Sequence, residues 1–133
     1  MLTTNIKDII SIDMSMIQID DYSSSFQSEV SVSTYNFNST VVIDFKSLWF
    51  QNADWDKFGQ KLSEDVMAID AYLSDMSSEM QIHLKSIENK ISLAFWSSRD
   101  FQNSSLLFQY KKDLDFDQFA ILKNAFLGFE KWW

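Results

Sequence analysis

Two glycines, Gly59 and Gly128, and no proline stand in 133 residues, and this shortage limits what the backbone can do. Loops that cradle phosphate need closely spaced glycines so that the main chain can approach the ligand, and neither GxGxxG nor GxxxxGK followed by Ser or Thr can be written here. Without proline there is no proline-rich linker and no cis-prolyl turn. Both glycines fall within stretches of helical periodicity. Gly59 inside a helix costs about 1 kcal/mol relative to alanine, which points to close packing at that position.

A chain of this length is expected to form one domain spanning residues 1–133, and 46% hydrophobic with 16% aromatic residues suffices for a core. The absence of cysteine excludes disulfides, thiolate chemistry and cysteine-based metal sites. No long uncharged apolar run exists, so neither a signal peptide nor a membrane span is expected. The formal charge is −8, with Arg99 the only arginine. Phosphate affinity depends on Lys and Arg displacing counterions, so this balance argues against nucleic acid as a partner and for a basic one.

The hydrophobic period switches from two to about 3.6 and back, twice. Strands are expected over Met14–Asp21, Phe26–Thr34 and Val41–Phe50, the last with Val41, Ile43, Phe45 and Trp49 on one face. Trp55, Phe58, Leu62, Val66, Ile69 and Leu73 then advance by three or four, predicting a helix near 53–75 with Asn52 or Asp54 as cap. Alternation resumes at Met80–Leu84, Ile91–Phe95 and Leu106–Tyr110, with a long loop over Ser97–Ser105. Phe116, Phe119, Leu122, Phe126 and Phe129 predict a second helix near 116–131. The expected fold is therefore α+β, one mostly antiparallel six-stranded sheet with two helices on one face, in the order βββα-βββα. Phe58, Leu62, Val66, Ile82, Leu93, Phe108, Phe119 and Phe126 are the expected core.

Few residues offer chemistry. His83 is the only histidine, and it stands between Ile82 and Leu84 on a strand, which turns it towards solvent. No nucleophile elbow frames any serine. Asp113, Asp115 and Asp117 imitate the start of a calcium loop, but Gln118 and Asn124 stand where its glycine and glutamate belong, so the run reads as a helix cap. No enzyme activity, metal or other cofactor is expected. On the predicted first helix, Asp56, Glu64, Asp70 and Asp75 form an acidic outer side whose field would steer a basic partner.

The segment Leu106–Trp133, with Asp117 and Gln118 opening a helix and Phe119, Leu122 and Phe126 spaced behind them, resembles the closing segment of small bacterial immunity proteins of the wall-associated-toxin type. The Trp55, Phe58, Leu62 spacing is similar to the same layout. The resemblance implies a cytoplasmic protein of contact-dependent inhibition or polymorphic toxin systems. It would bind a cognate toxin domain and neutralise it by stoichiometric occlusion; the acidic charge, rather than the resemblance, points to a basic nuclease as that toxin and to Asp56, Glu64, Asp70 and Asp75 as the contact residues. The alternative is an acidic type III secretion chaperone that binds an effector segment. Such chaperones open with an amphipathic helix, whereas Ile6–Ile19 reads as extended.

Overall fold

The computed structural model describes residues 1–133, apart from the side chain of Phe101. Eight strands and two helices follow one another as β1 (Leu2–Ile6), β2 (Ile10–Asp20), β3 (Ser25–Asn36), β4 (Ser39–Gln51), α1 (Asn52–Leu62), β5 (Asp70–Ser74), β6 (Met80–Ile87), β7 (Lys90–Phe101), β8 (Ser104–Leu114) and α2 (Phe116–Leu127). The strands form two four-stranded antiparallel meanders, β1-β2-β3-β4 and β5-β6-β7-β8. The expected single six-stranded sheet is thus replaced by two sheets in the order ββββα-ββββα. Each helix follows one sheet and packs on the other: α1 lies against β5 and α2 against β1.

Two strands, β1 and β5, add to the six expected, and each lacks a clear alternating signal for a physical reason. In β1, Leu2, Thr4 and Ile6 point inward, and the polar Thr4 at the central buried position interrupts the apolar alternation. From Ile69, just ahead of β5, through Leu73 the buried Ile69, Ala71 and Leu73 alternate with exposed Asp70 and Tyr72, a period of two. The spacing Leu62, Val66, Ile69, Leu73 also satisfies a helical period, so the predicted helix to residue 75 overran. Its real end is Leu62, with Ser63 as C-cap, and Asp65 then caps a 3-10 turn over Val66–Ala68 by accepting from Met67 N–H at 2.8 Å. Gln51, not Asn52 or Asp54, is the N-cap of α1, and its side chain makes no cap hydrogen bond. The expected loop over Ser97–Ser105 is instead the tip of a hairpin, with Phe101 paired to Ser104.

Two β-bulges reset which residues face inward. Ile17 is the extra residue of β2 between the pairs Met16–Ser28 and Gln18–Gln27, and Lys46 with Ser47 opposes Glu29 between the pairs Val30–Phe45 and Ser28–Leu48. Past the second bulge Leu48 and Phe50 turn inward, and Trp49 lies on the outer face rather than with Ile43 and Phe45. With two glycines in the chain, left-handed turn positions fall to Asp8, Ser24, Ser78 and Glu88.

The core runs between the sheets and under the helices. Phe58, Leu62, Ile82, Leu93, Phe119 and Phe126 are buried as expected, while Val66 and Phe108 are only partly covered. Phe26, Phe50, Trp55, Phe126 and Phe129 form a continuous aromatic cluster with ring centroids 4.8–5.9 Å apart. Asp115 caps α2 through a capping box, exchanging hydrogen bonds with Gln118 at 2.7 and 3.0 Å, which accounts for the aspartate run. The single arginine is structural. Arg99 of β7 donates to the Asp44 carbonyl at 2.6 Å and lies 4.1 Å from the Phe45 ring centroid, tying the second sheet to β4.

Candidate binding face

The four carboxylates expected on one helix side are not gathered on one surface. Asp56 lies on α1 and is held by Lys131 Nζ at 2.6 Å and Trp133 Nε1 at 3.2 Å. Glu64 stands beyond the helix end and pairs with Lys61 at 3.2 Å. Asp70 opens β5 and bonds His83 Nε2 at 2.6 Å, an interaction that lowers its pKa, the nearby charges of His83, Lys85 and Lys61 acting in the same direction. Asp75 is buried and shapes the β5–β6 turn by accepting from Met80 N–H at 2.9 Å and Ser77 N–H at 3.2 Å. Each carboxylate already has a partner within the chain.

A different acidic face is built by the first sheet. Register places Asp13, Ser31 and Asp44 in one row across β2, β3 and β4. Alternation turns all three away from the core. Strands spaced by about 4.8 Å set the two carboxylates roughly 10 Å apart, with Ser31 Oγ donating to Asp44 Oδ1 at 2.7 Å. In the next row Glu29 faces Ser15 on one side and the bulge at Lys46 and Ser47 on the other. A shallow hollow of about 340 Å³ lies among Asp13, Ser15, Glu29, Asp44 and Lys46. Among the described residues none of the three carboxylates is ion-paired. Lys46 alone opposes them in the hollow.

The face continues towards the β2–β3 turn as a polar ladder. Gln18 Nε2 donates to Gln27 Oε1 at 2.7 Å, and Gln27 Nε2 donates to Ser47 Oγ at 2.5 Å. Beyond it Asp20 accepts from Ser23 Oγ at 2.8 Å and from Tyr22 N–H at 3.0 Å, and the Ser23 hydroxyl and amide hold its carboxyl below the usual carboxylate range. Exposed Ile17 and half-buried Trp49 flank the ladder. The surface therefore offers carboxylates and hydroxyls with apolar side chains beside them, the composition that receives lysine or arginine side chains. No group of three or more His, Cys, Asp or Glu side chains able to hold a metal ion occurs among the described residues.

No protein-family model matches the chain, and no curated protein matches it. Among solved structures, that of the plant transcriptional regulator PBF-2 is similar with a TM-score of 0.46 and 9% identity, covering 93% of this chain and 76% of that one. At that level nothing about function is transferred. Among the described residues no helix is long and apolar enough to cross a membrane.

Proposed function

We propose that the chain is a stoichiometric protein inhibitor of the bacterial immunity type, which binds a basic toxin domain, a nuclease, and occludes its substrate surface without catalysis. The observation that supports this reading is the outer face of the first sheet, where Asp13, Glu29 and Asp44 stand together without ion-pair partners. A nuclease binds polyphosphate with Lys and Arg, and a face of carboxylates competes for the same side chains. Charge of this kind sets orientation and association rate, while Trp49 and Ile17 beside it supply apolar contact that slows dissociation. The contact residues in this reading are Asp13, Glu29 and Asp44, in place of the four dispersed carboxylates.

The test is inspection of the neighbouring reading frames for a secreted toxin and co-expression of the chain with the toxin domain found there. Expected results are rescue of growth, a one-to-one complex and inhibition of the toxin in vitro. The triple reversal D13K/E29K/D44K should leave unfolding unchanged and slow association at least about tenfold at low salt. Absence of binding and rescue defeats the reading. Unchanged association by the triple variant assigns the contact to another face.

A further inference from the structure

Four strands border the two sheets, and three of them are protected. Helices α2 and α1 pack against β1 and β5. Strand β4 is bulged, carries exposed Asp44 and Lys46, receives Arg99 on the Asp44 carbonyl, and receives the Met76 amide on the Trp49 carbonyl at 2.7 Å. These are the devices that stop a sheet edge from pairing with another chain. Strand β8 lacks them over most of its length. It is eleven residues long and regularly paired to β7, with Leu106 43% and Leu107 77% exposed and Phe108 and Tyr110 only partly covered.

The charge of this edge is unlike the rest of the molecule. No acidic residue occurs between Asp100 and Asp113, and Lys111 and Lys112 make no ion pair among the described residues. The β3–β4 hairpin approaches β8 through the hydrogen bond from Tyr110 Oη to the Tyr35 carbonyl, and burial raises the Tyr110 pKa, so the phenol remains the donor. A hollow of about 1130 Å³ lies between that hairpin and Gln109–Lys112.

We infer that two copies of the chain pair antiparallel along β8, centred on Phe108, to make one continuous eight-stranded sheet. The register is self-complementary: Phe108 faces Phe108, Leu107 faces Gln109, Leu106 faces Tyr110, Ser105 faces Lys111 and Ser104 faces Lys112. No like charges meet in any pair. Leu106, Phe108 and Tyr110 of both copies then form one apolar row on one face of the joined sheet, because cross-strand neighbours lie close enough to pack. A register moved by several residues would bring lysine against leucine or phenylalanine. The lysines of the two copies stay many residues apart. The pairing uses the edge of β8 and none of Asp13, Glu29 and Asp44, so it stands independently of the inhibitor reading.

Sedimentation velocity of the purified chain from low to high micromolar concentration should show a concentration-dependent dimer. The substitution L107K, at an exposed position, places the two introduced ammonium groups diagonally across the join. It should weaken dimerisation by about tenfold or more, equivalent to about 1.4 kcal/mol, while leaving the melting temperature unchanged. S105K gives a sharper arm: within the chain Ser105 is paired with Asp100, so the fold tolerates the new charge, whereas across the join it meets Lys111. In the cysteine-free chain, F108C should oxidise to a covalent dimer, since directly opposed residues have Cα atoms about 4.5–5.5 Å apart, within disulfide range. S104C should not, its counterpart lying far along the strand. A monomer at every concentration overturns the inference, as does a dimer unaffected by L107K and S105K or an S104C variant that cross-links as readily as F108C.

Discussion

Trp133 Nε1 donates to Asp56 Oδ2 at 3.2 Å across 77 residues of chain, while the Trp133 indole stacks on Phe26 with ring centroids 4.8 Å apart. Lys131 holds the other carboxylate oxygen at 2.6 Å. Asp56 is thus a clamp that fastens residues 128–133 over α1 and the first sheet, and its work is intramolecular. W133A removes a partly buried ring and should cost about 1–2 kcal/mol, less than the ~3 kcal/mol of a fully buried aromatic. D56A loses two hydrogen bonds at a partly exposed site and should cost about 1 kcal/mol. A double-mutant cycle by urea unfolding should show the two effects coupled. Additive losses would mean that the indole packs without help from the carboxylate.

Phe126 carries more of the helix-to-core energy. It is 3% exposed, with ring centroids 5.1 Å from Phe58 in an edge-to-face arrangement and 5.6 Å from Trp55. F126A leaves a cavity where α2 meets α1 and should cost about 3–5 kcal/mol in urea unfolding. A loss below about half a kcal/mol would show that the site collapses or that the ring is not packed as described.

How far the fold could be read from the chain depends on period and parity. Alternation marks β2, β3, β4, β6, β7 and β8 because each carries apolar residues at every second position. Strand β1 escapes notice because Thr4, a polar residue, takes a buried inward position. Strand β5 hides because Ile69 and Leu73 fit both periods. Bulges are a deeper obstacle, since one inserted residue reverses the face of all that follows, as at Trp49. The same physics hid the acidic face. Asp13, Glu29 and Asp44 are far apart in sequence and meet only through the register of three strands. A local hint does exist: Asp13 lies between the outward serines Ser11 and Ser15 in one strand, and Glu29 between the outward Gln27 and Ser31 in the next.

Two positions test the shortage of glycine in opposite directions. At Gly59, inside α1, a Cβ would meet only Leu127 Cδ2 at 3.5 Å, an ordinary contact. G59A should therefore stabilise the chain by about 0.5–1 kcal/mol through helix propensity. Glu88 is the first of two residues joining β6 to β7 and has φ 54°, a left-handed conformation that hairpin turns of this length assign to glycine. E88G should stabilise by about 1 kcal/mol, relieving a backbone cost of that order. Thermal or urea unfolding reads both. Destabilisation by G59A would show that Leu127 cannot yield.

The pair Asp70 and His83 gives the chain a small acid sensitivity whose sign is fixed. The hydrogen bond from His83 comes first among the causes that lower the Asp70 pKa, followed by a weaker opposing effect of burial and by the charges of His83, Lys85 and Lys61. A carboxyl whose folded pKa lies below its unfolded value stabilises the fold above the unfolded pKa. That contribution is lost as pH falls through the folded pKa, so the window opens below about pH 4. The Asp70 side chain is 64% exposed, and solvent screening keeps the contribution under about 1 kcal/mol. Carbon-detected NMR titration should find Asp70 titrating below an ordinary aspartate, and H83Q should move it upward towards that value. The stability difference between the native chain and H83Q should then shrink as the pH is taken from 5 to 2, as linkage requires. An Asp70 titration unmoved by H83Q would show that the lysine charges, not the histidine hydrogen bond, set it.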